Sequence, residues 1–523
     1  MIDKIIANIY EIRLVLTVIV ISALGVFLYR VRFSDKNTAL VPLSRTASIF
    51  VCCVFALMAG YQARWQLFGF FSSDFLRVQR GFDPRGEILG ERFHRGSLVD
   101  RNHIPLAMDT KADQQLKRLY PLGEAGAHVL GYNHPKFGSS GMEKTLDSFL
   151  MGRSVQTPAD VFRLVGNAFF HRTLRGNPVV LTLDYDLQLA AWELLSGKIG
   201  SIVALDPRDG SIRAMVSRPG FDPEKIDEAV WTHLLKSSDS PFLNRATHGL
   251  YPPGSTFKIL AAATAIEKQF DPVYKCGSAG FDCGPADRRV KDHSHYSNPG
   301  FAGHGNLNLA EALAVSCNVY FAHLAVDLSA PVLLESASRL GLNSQVPFAG
   351  PSPGVARGRL PERSKWHIAR TARLGIGQDD TLVTPLHLAS MAGAIGNGGM
   401  LFRPKLVESQ MPELWDRVFE QRTAHQVARM MIKAVETGTG HAAKVPGIVV
   451  GGKTGTAESA GSKSHALFVC FAPWPRPALA VAVVIEHAGM GGTVAAPIAA
   501  QLIQRADTLG LLEDKEIYRG PNR

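Results

Sequence analysis

The position of the strand-like segments is the strongest constraint on how this chain can fold. Two fall early, where SIVALDP (201–207) and SIRAMVS (211–217) flank an Asp-Gly step, and two fall late, where HALFVCFAP (465–473) and PALAVAVVIEH (477–487) are separated by Trp-Pro-Arg. Apolar runs around Asp-Gly signal a hairpin. Between the two pairs the pattern is helical, notably at 255–269 and 308–326, and a further helix, PIAAQLIQRADTLGLL (497–512), follows the last strand. Ahead of them VVLTLD (179–184) reads as a strand and DLQLAAWELLSGKI (186–199) as an amphipathic helix. Strands at both ends with helices between them require a central sheet that joins distant parts of the chain, so the expected class is α/β or α+β. That domain is expected over 178–510, with a tail at 511–523.

A chain of 523 residues exceeds one ordinary core. Residues 65–177 mix short apolar runs with charges and turn formers, and are expected to form a small extended module. Hydrophobic residues at 46% and charged residues at 20% exclude a disordered chain. A net charge of +10 suits a nucleic acid, an anionic membrane or an anionic polymer such as a cell wall. No basic run with interleaved aromatics, zinc-type cysteine spacing or phosphate-binding glycine loop is found, which argues against nucleic acid.

Two uncharged apolar runs, Leu14 to Tyr29 and Ala47 to Ala63, approach the length of a membrane-spanning helix. Neither ends in a convincing signal-peptide cleavage site. Residues 1–64 are therefore expected to be a membrane anchor with two spanning segments, at about 14–30 and 46–63. Arg30, Arg32, Lys36 and Arg45 between them, against Asp35, place that linker in the cytoplasm and the rest of the chain outside. Among six cysteines, Cys52 and Cys53 fall in the second apolar run. Cys276 and Cys283 are close enough in sequence to bridge in an oxidising compartment, the alternative being two unbridged surface thiols. Cys317 and Cys470 read as buried small hydrophobes.

Three short motifs carry chemistry. Tyr251-Pro-Pro-Gly254 stops whatever precedes it, and the strongly helix-forming run after it makes Ser255 a helix start, with Lys258 three residues on and on the same face. A serine hydroxyl is a weak nucleophile until a base takes its proton, and apolar neighbours would help to lower the pKa of a lysine. Taken alone, such a serine is more often a helix cap. Ser316 and Asn318 lie inside LAEALAVSCNVYFAHLA, where polar groups would be costly to bury without partners. Lys453, Thr454, Gly455 and Thr456 lie in VVGGKTGTAE, whose donors suit a carboxylate.

In this order the three motifs resemble those of penicillin-binding proteins and serine β-lactamases. Further segments are similar to class B, monofunctional penicillin-binding proteins. They are Arg95-Gly-Ser-Leu-Val-Asp-Arg-Asn102 with Pro105-Leu-Ala107, Tyr120-Pro121, Ala127-His-Val-Leu-Gly-Tyr132, Gly141-Met-Glu143, LTLDYDLQ at 181–188 and Gly375-Ile-Gly-Gln378. Met142 and His103 depart from the usual leucine and glycine, and two spanning segments where one anchor is common is a further departure.

The resemblance covers about residues 95–500. It implies a transpeptidase fold on a pedestal or dimerisation module, and a peptidoglycan D,D-transpeptidase that also binds β-lactams covalently. Ser255 would be the nucleophile, Lys258 its base and Ser316 the proton relay, while Asn318 would bond the peptide amide. Lys453, Thr454 and Thr456 would hold the terminal carboxylate, and the amides of Ser255 and Thr456 would form the oxyanion hole. No metal or cofactor is implied. The expected partners are peptidoglycan stem peptides, β-lactams and a membrane glycosyltransferase, and the expected place is the outer face of a bacterial cytoplasmic membrane. A D,D-carboxypeptidase or β-lactamase using the same serine is the nearest alternative, and a β-lactam sensor or scaffold is one of another class.

Overall fold

The structure, a computed structural model, describes residues 93–513 apart from 113–114, 153–173, 285–288, 299, 363–365, 379 and 460–461, together with Phe50, Val54, Leu57 and Met58. The chain divides into two units, Met1–Ile88 and Leu89–Arg523. In the first, the four described residues are helical. The apolar segment expected at 14–30 lies outside the described residues, as does most of that at 46–63, including Cys52 and Cys53. Among the described residues no helix is long and apolar enough to cross a membrane.

The second unit begins with a four-stranded sheet built from β1 (Leu98–Val99), β2 (Pro105–Ala112), β3 (Gln115–Leu119) and β4 (Val179–Val180). β4 runs parallel to β1, so only part of the expected 179–184 strand forms, and it belongs to this small sheet. Arg95 and Arg118 converge on Glu143, at 2.6 and 2.8 Å, and pair in addition with Asp147 and Asp109 respectively. Glu143 is fully buried and pairs with both arginines, so removing either weakens its compensation; losing a partner from a buried ion pair can cost about 3–5 kcal/mol. Asp100 accepts from the amides of Asn102, Ile104 and Tyr185, which ties the module to the helix that follows.

That helix, α1 (Tyr185–Leu194), starts where the Asp184 side chain accepts from the Leu187 amide, and it ends five residues short of the expected 199. The large sheet contains β5 (Gly200–Leu205), β6 (Ile212–Arg218), β7 (Gly451–Ser459), β8 (Ser462–Ala472) and β9 (Leu479–Ile485). Their spatial order is β6-β5-β9-β8-β7, and every neighbouring pair is antiparallel. The early hairpin therefore docks on the late one through β5 and β9, closing the sheet across more than half of the chain.

Other helices that matter are α2 (Lys258–Glu267), α3 (Leu309–Val315), α4 (Asn318–Leu328), α5 (Pro385–Gly396), α6 (Gln421–Glu436) and α7 (Gly491–Thr508). All of β5 and β9 is buried because both faces of the sheet are covered. Val203, Ala482 and Val484 belong to the core that includes α5, whereas Ile202, Val481, Val483 and Ile485 pack with α1 and α7. A strand buried on both sides reads as a continuous apolar run without alternation. Each large side chain removed from water contributes about 1.5–3 kcal/mol.

Candidate active site

The cleft lies where β7, the edge of the large sheet, meets the helices. Gly254–Phe257 form a 3₁₀ turn and α2 begins only at Lys258. In such a turn residues i and i+3 eclipse, which aligns Ser255 with Lys258. Gly254 has φ +52°, and a Cβ there would lie 2.6 Å from the Thr456 carbonyl oxygen, so glycine is what lets this loop lie against β7. Ser255 stays partly exposed while Lys258 is fully buried.

The helix expected over 308–326 is broken in the middle. Asn308 and Glu311 form a capping box for α3, which ends at Ser316 in the left-handed region (φ +59°). α4 then starts with Cys317 as its cap, accepting from the Tyr320 amide. The joint turns Ser316 and Asn318 into the cleft, where an unbroken helix would have put them on different sides.

Lys258 Nζ donates to the Ser316 carbonyl oxygen (2.7 Å), to Asn318 Oδ1 (2.6 Å) and to Ser316 Oγ (3.4 Å). Lys453 Nζ, also fully buried, donates to Ser316 Oγ (2.7 Å) and to the Thr454 carbonyl oxygen (3.0 Å). The Ser316 hydroxyl thus bridges two buried amines. Burial lowers the Lys258 pKa to about 8, and it pushes Lys453 well below its ordinary value, with the Lys258 charge adding to the effect. Burial disfavours the charged form of both amines, so the cleft more readily yields a neutral amine that can take a proton.

Sequence reasoning missed Thr439, whose hydroxyl lies 2.9 Å from that of Thr454, while its amide donates to Ala314. It also missed a polar cluster directly behind Ser316. Asp292 accepts from the Asn318 amide, from Cys317 Sγ (3.5 Å) and in an ion pair from His304 Nδ1 (3.3 Å). The hydrogen bond to Asp292, then that to Cys317, raises the His304 pKa to about 9. Burial pushes Asp292 up, but His304 and the Asn318 amide more than offset it and hold the carboxylate below its usual range. Donor atoms of Asp292, His304 and Cys317 lie within 4.8 Å of one another, a set that could hold a divalent cation of the zinc type. The only signal in the sequence was Cys317 itself, read there as a small hydrophobe.

No bridge joins Cys276 to Cys283: both are buried thiols. The Cys276 thiol hydrogen-bonds with Cys317, and Cys283 Sγ lies 4.0 Å from the Phe281 carbonyl oxygen. Cys317 and Cys470 are buried, as expected.

A partly exposed serine, two buried lysines and a bridging hydroxyl beside an antiparallel sheet form an arrangement that can support acyl transfer through a serine. Residues 200–504 match the penicillin binding protein transpeptidase domain and residues 95–178 the penicillin binding protein A dimerisation domain, and the chain belongs to the penicillin-binding protein transpeptidase family. It is 31% identical over 478 residues to the peptidoglycan D,D-transpeptidase PbpA of Mycolicibacterium smegmatis, covering 83% of this chain and 93% of that one. Against the peptidoglycan D,D-transpeptidase MrdA of Acinetobacter baumannii it is 29% identical, over 74% of this chain and 65% of the relative. Its structure is similar to penicillin-binding protein A from M. tuberculosis in a penicillin G acyl-enzyme complex, with TM-score 0.70 and 29% identity over 79% of this chain and 99% of that one.

Proposed function

We propose that the protein is a peptidoglycan D,D-transpeptidase that crosslinks stem peptides through an acyl-enzyme on Ser255 and is acylated by β-lactams at the same atom. The observation that carries this reading is the Ser316 hydroxyl, held 2.7 Å from Lys453 Nζ and 3.4 Å from Lys258 Nζ. In this mechanism neutral Lys258 takes the proton of Ser255 as its oxygen attacks the carbonyl between the two terminal D-alanines. The amides of Ser255 and Thr456 meet the developing oxyanion, and each such donor is worth about 3 kcal/mol in the transition state. Ser316 passes a proton to the departing D-alanine amine, and Asn318 bonds the peptide amide. Lys453, Thr454 and Thr456 receive the terminal carboxylate, whose charge favours the protonated form of Lys453. The amine of a second stem peptide then attacks the acyl-enzyme, giving up its proton along the same relay.

In this reading residues 1–64 anchor the chain in the bacterial cytoplasmic membrane, 65–177 form a pedestal, and 178–510 work as the transpeptidase domain on the outer face beside a membrane glycosyltransferase. The test incubates the full chain with a stem-peptide donor and an amine acceptor, comparing wild type with Ser255→Ala. Peptide transfer that is lost in the variant supports the proposal. Rapid release of hydrolysed penicillin would instead make the chain a β-lactamase, and acylation without peptide turnover would make it a sensor.

A further inference from the structure

Outside the three motifs, a half-buried carboxylate with two buried partners reaches from the large sheet to the loop that carries the nucleophile. Glu486 directly follows β9, and its backbone amide is fixed to the Ile199 carbonyl oxygen. Its Oε1 accepts from Tyr251 Oη at 2.6 Å and from Arg245 Nε at 2.8 Å. Arg245 is 3% exposed and spends its other nitrogens on the carbonyl oxygens of Asp239 (2.6 Å) and Ser240 (3.2 Å). Tyr251, 5% exposed, also packs edge-on against His465, with ring centroids 5.5 Å apart.

The sheet register says which way this group faces. On β7, Lys453, Gly455 and Ala457 share one face, and His465 of β8 lies opposite Ala457. A Cβ on Gly455 would meet Thr256 Cγ2 at 2.9 Å and the Pro253 carbonyl oxygen at 3.2 Å, so this face looks onto the nucleophile loop. β9 continues from Ile485, opposite Ala466, to Glu486 beside His465. The backbone of Tyr251 exchanges two hydrogen bonds of 2.9 Å with Val383, and the Gly254 amide donates to the Gly377 carbonyl oxygen at 3.0 Å. Those bonds tie the loop to the helical side of the cleft. The Tyr251 side chain ties the same loop to the sheet side, four residues before Ser255.

We propose that Arg245, Glu486 and Tyr251 form a clamp that sets the spacing between the Ser255 loop and β7, making Tyr251 and Glu486 positioning residues for acyl transfer; the proposal rests on the function inferred above. The nucleophile comes from the loop and an oxyanion-hole amide, that of Thr456, from β7, so their separation has to be right in the transition state, where a misplacement of about 1 Å can cost roughly a hundredfold in rate. Arg245 orients the Glu486 carboxylate, and Glu486 holds Tyr251. Burial and the neighbouring carboxylate both raise the tyrosine pKa, so its hydroxyl remains a donor.

The test is time-resolved acylation of the full chain by a chromogenic β-lactam, separating the binding constant of the first complex from the acylation rate constant. Tyr251→Phe removes one hydroxyl and keeps the ring, and is expected to lower the rate constant roughly tenfold while leaving the binding constant unchanged. Glu486→Gln is expected to show the same pattern, and adding Tyr251→Phe to it should cost little more, because the two residues act as one unit. A Tyr251→Phe chain that melts lower but acylates at the wild-type rate would reduce the clamp to a packing feature and overturn the proposal. Wild type that takes no acyl group at all would instead sink the acyl-transfer reading on which the clamp rests.

Discussion

The middle of the large sheet and the two lysines of the cleft at its edge are buried to the same degree and for opposite reasons. Val203, Ala482 and Val483 have no exposed surface, and neither have Lys258 and Lys453. In the sheet, burial is what stabilises, since apolar surface leaves water between two layers of helices. In the cleft, burial costs stability, and what it yields is ionisation: one amine brought to about 8 and a second pushed well below its ordinary value. The fold thus draws its stability from one region and its reactivity from another, and substitutions should separate the two.

The sharpest separation is expected from Lys258→Met. It should cut acylation by about a thousandfold, the scale of a lost general base. Because a buried ammonium is exchanged for an apolar chain of similar length, thermal melting should show equal or higher stability. Leu502→Ala, in the apolar core between α7 and the sheet, should do the reverse. A loss of about 2–4 kcal/mol is expected in denaturant titration, with the folded fraction acylating at the wild-type rate. If Leu502→Ala slowed acylation of folded protein, the two regions would not be independent.

A smaller effect concerns pH. In the proposed mechanism Lys258 acts as a neutral amine, so acylation should rise with pH through about 8 in a stopped-flow profile. The same depression sets a stability window. The unfolded chain holds this proton up to about 10.5 and the folded one only to about 8, so stability should increase with pH between those values. Asn318→Ala removes an acceptor that favours the charged amine. It should move the rate midpoint below that of wild type and cost roughly tenfold in rate at pH 7.

What could be read from the sequence divides along the same line. The sheet was legible because a strand covered on both faces must be apolar throughout, and β8 and β9 announce themselves that way. The three motifs were legible as residue types, but their geometry was not. The 308–326 pattern stays apolar through Ser316, and nothing in its period signals that Ser316 adopts a left-handed conformation and splits the helix. Asp292 stands at the N-cap position of a five-residue helix and His304 sits in a short strand, Gly303–Leu307, and the two meet Cys317 only through tertiary packing. Glu486 sits one residue past a strand, and its partners Arg245 and Tyr251 lie more than 230 positions away in sequence. Contacts of that kind leave no periodic trace. Cys276 and Cys283 illustrate the converse, since closeness in sequence did not bring their sulfurs together.

The proposed acyl transfer rests on the chemistry of one oxygen, Ser255 Oγ. Intact-protein mass measurement of the full chain after exposure to penicillin G, followed by peptide mapping, tests it most directly. A single penicilloyl adduct is predicted on Ser255, absent in Ser255→Ala and strongly slowed in Lys258→Met. An adduct on another residue, or one that persists in Ser255→Ala, would contradict it.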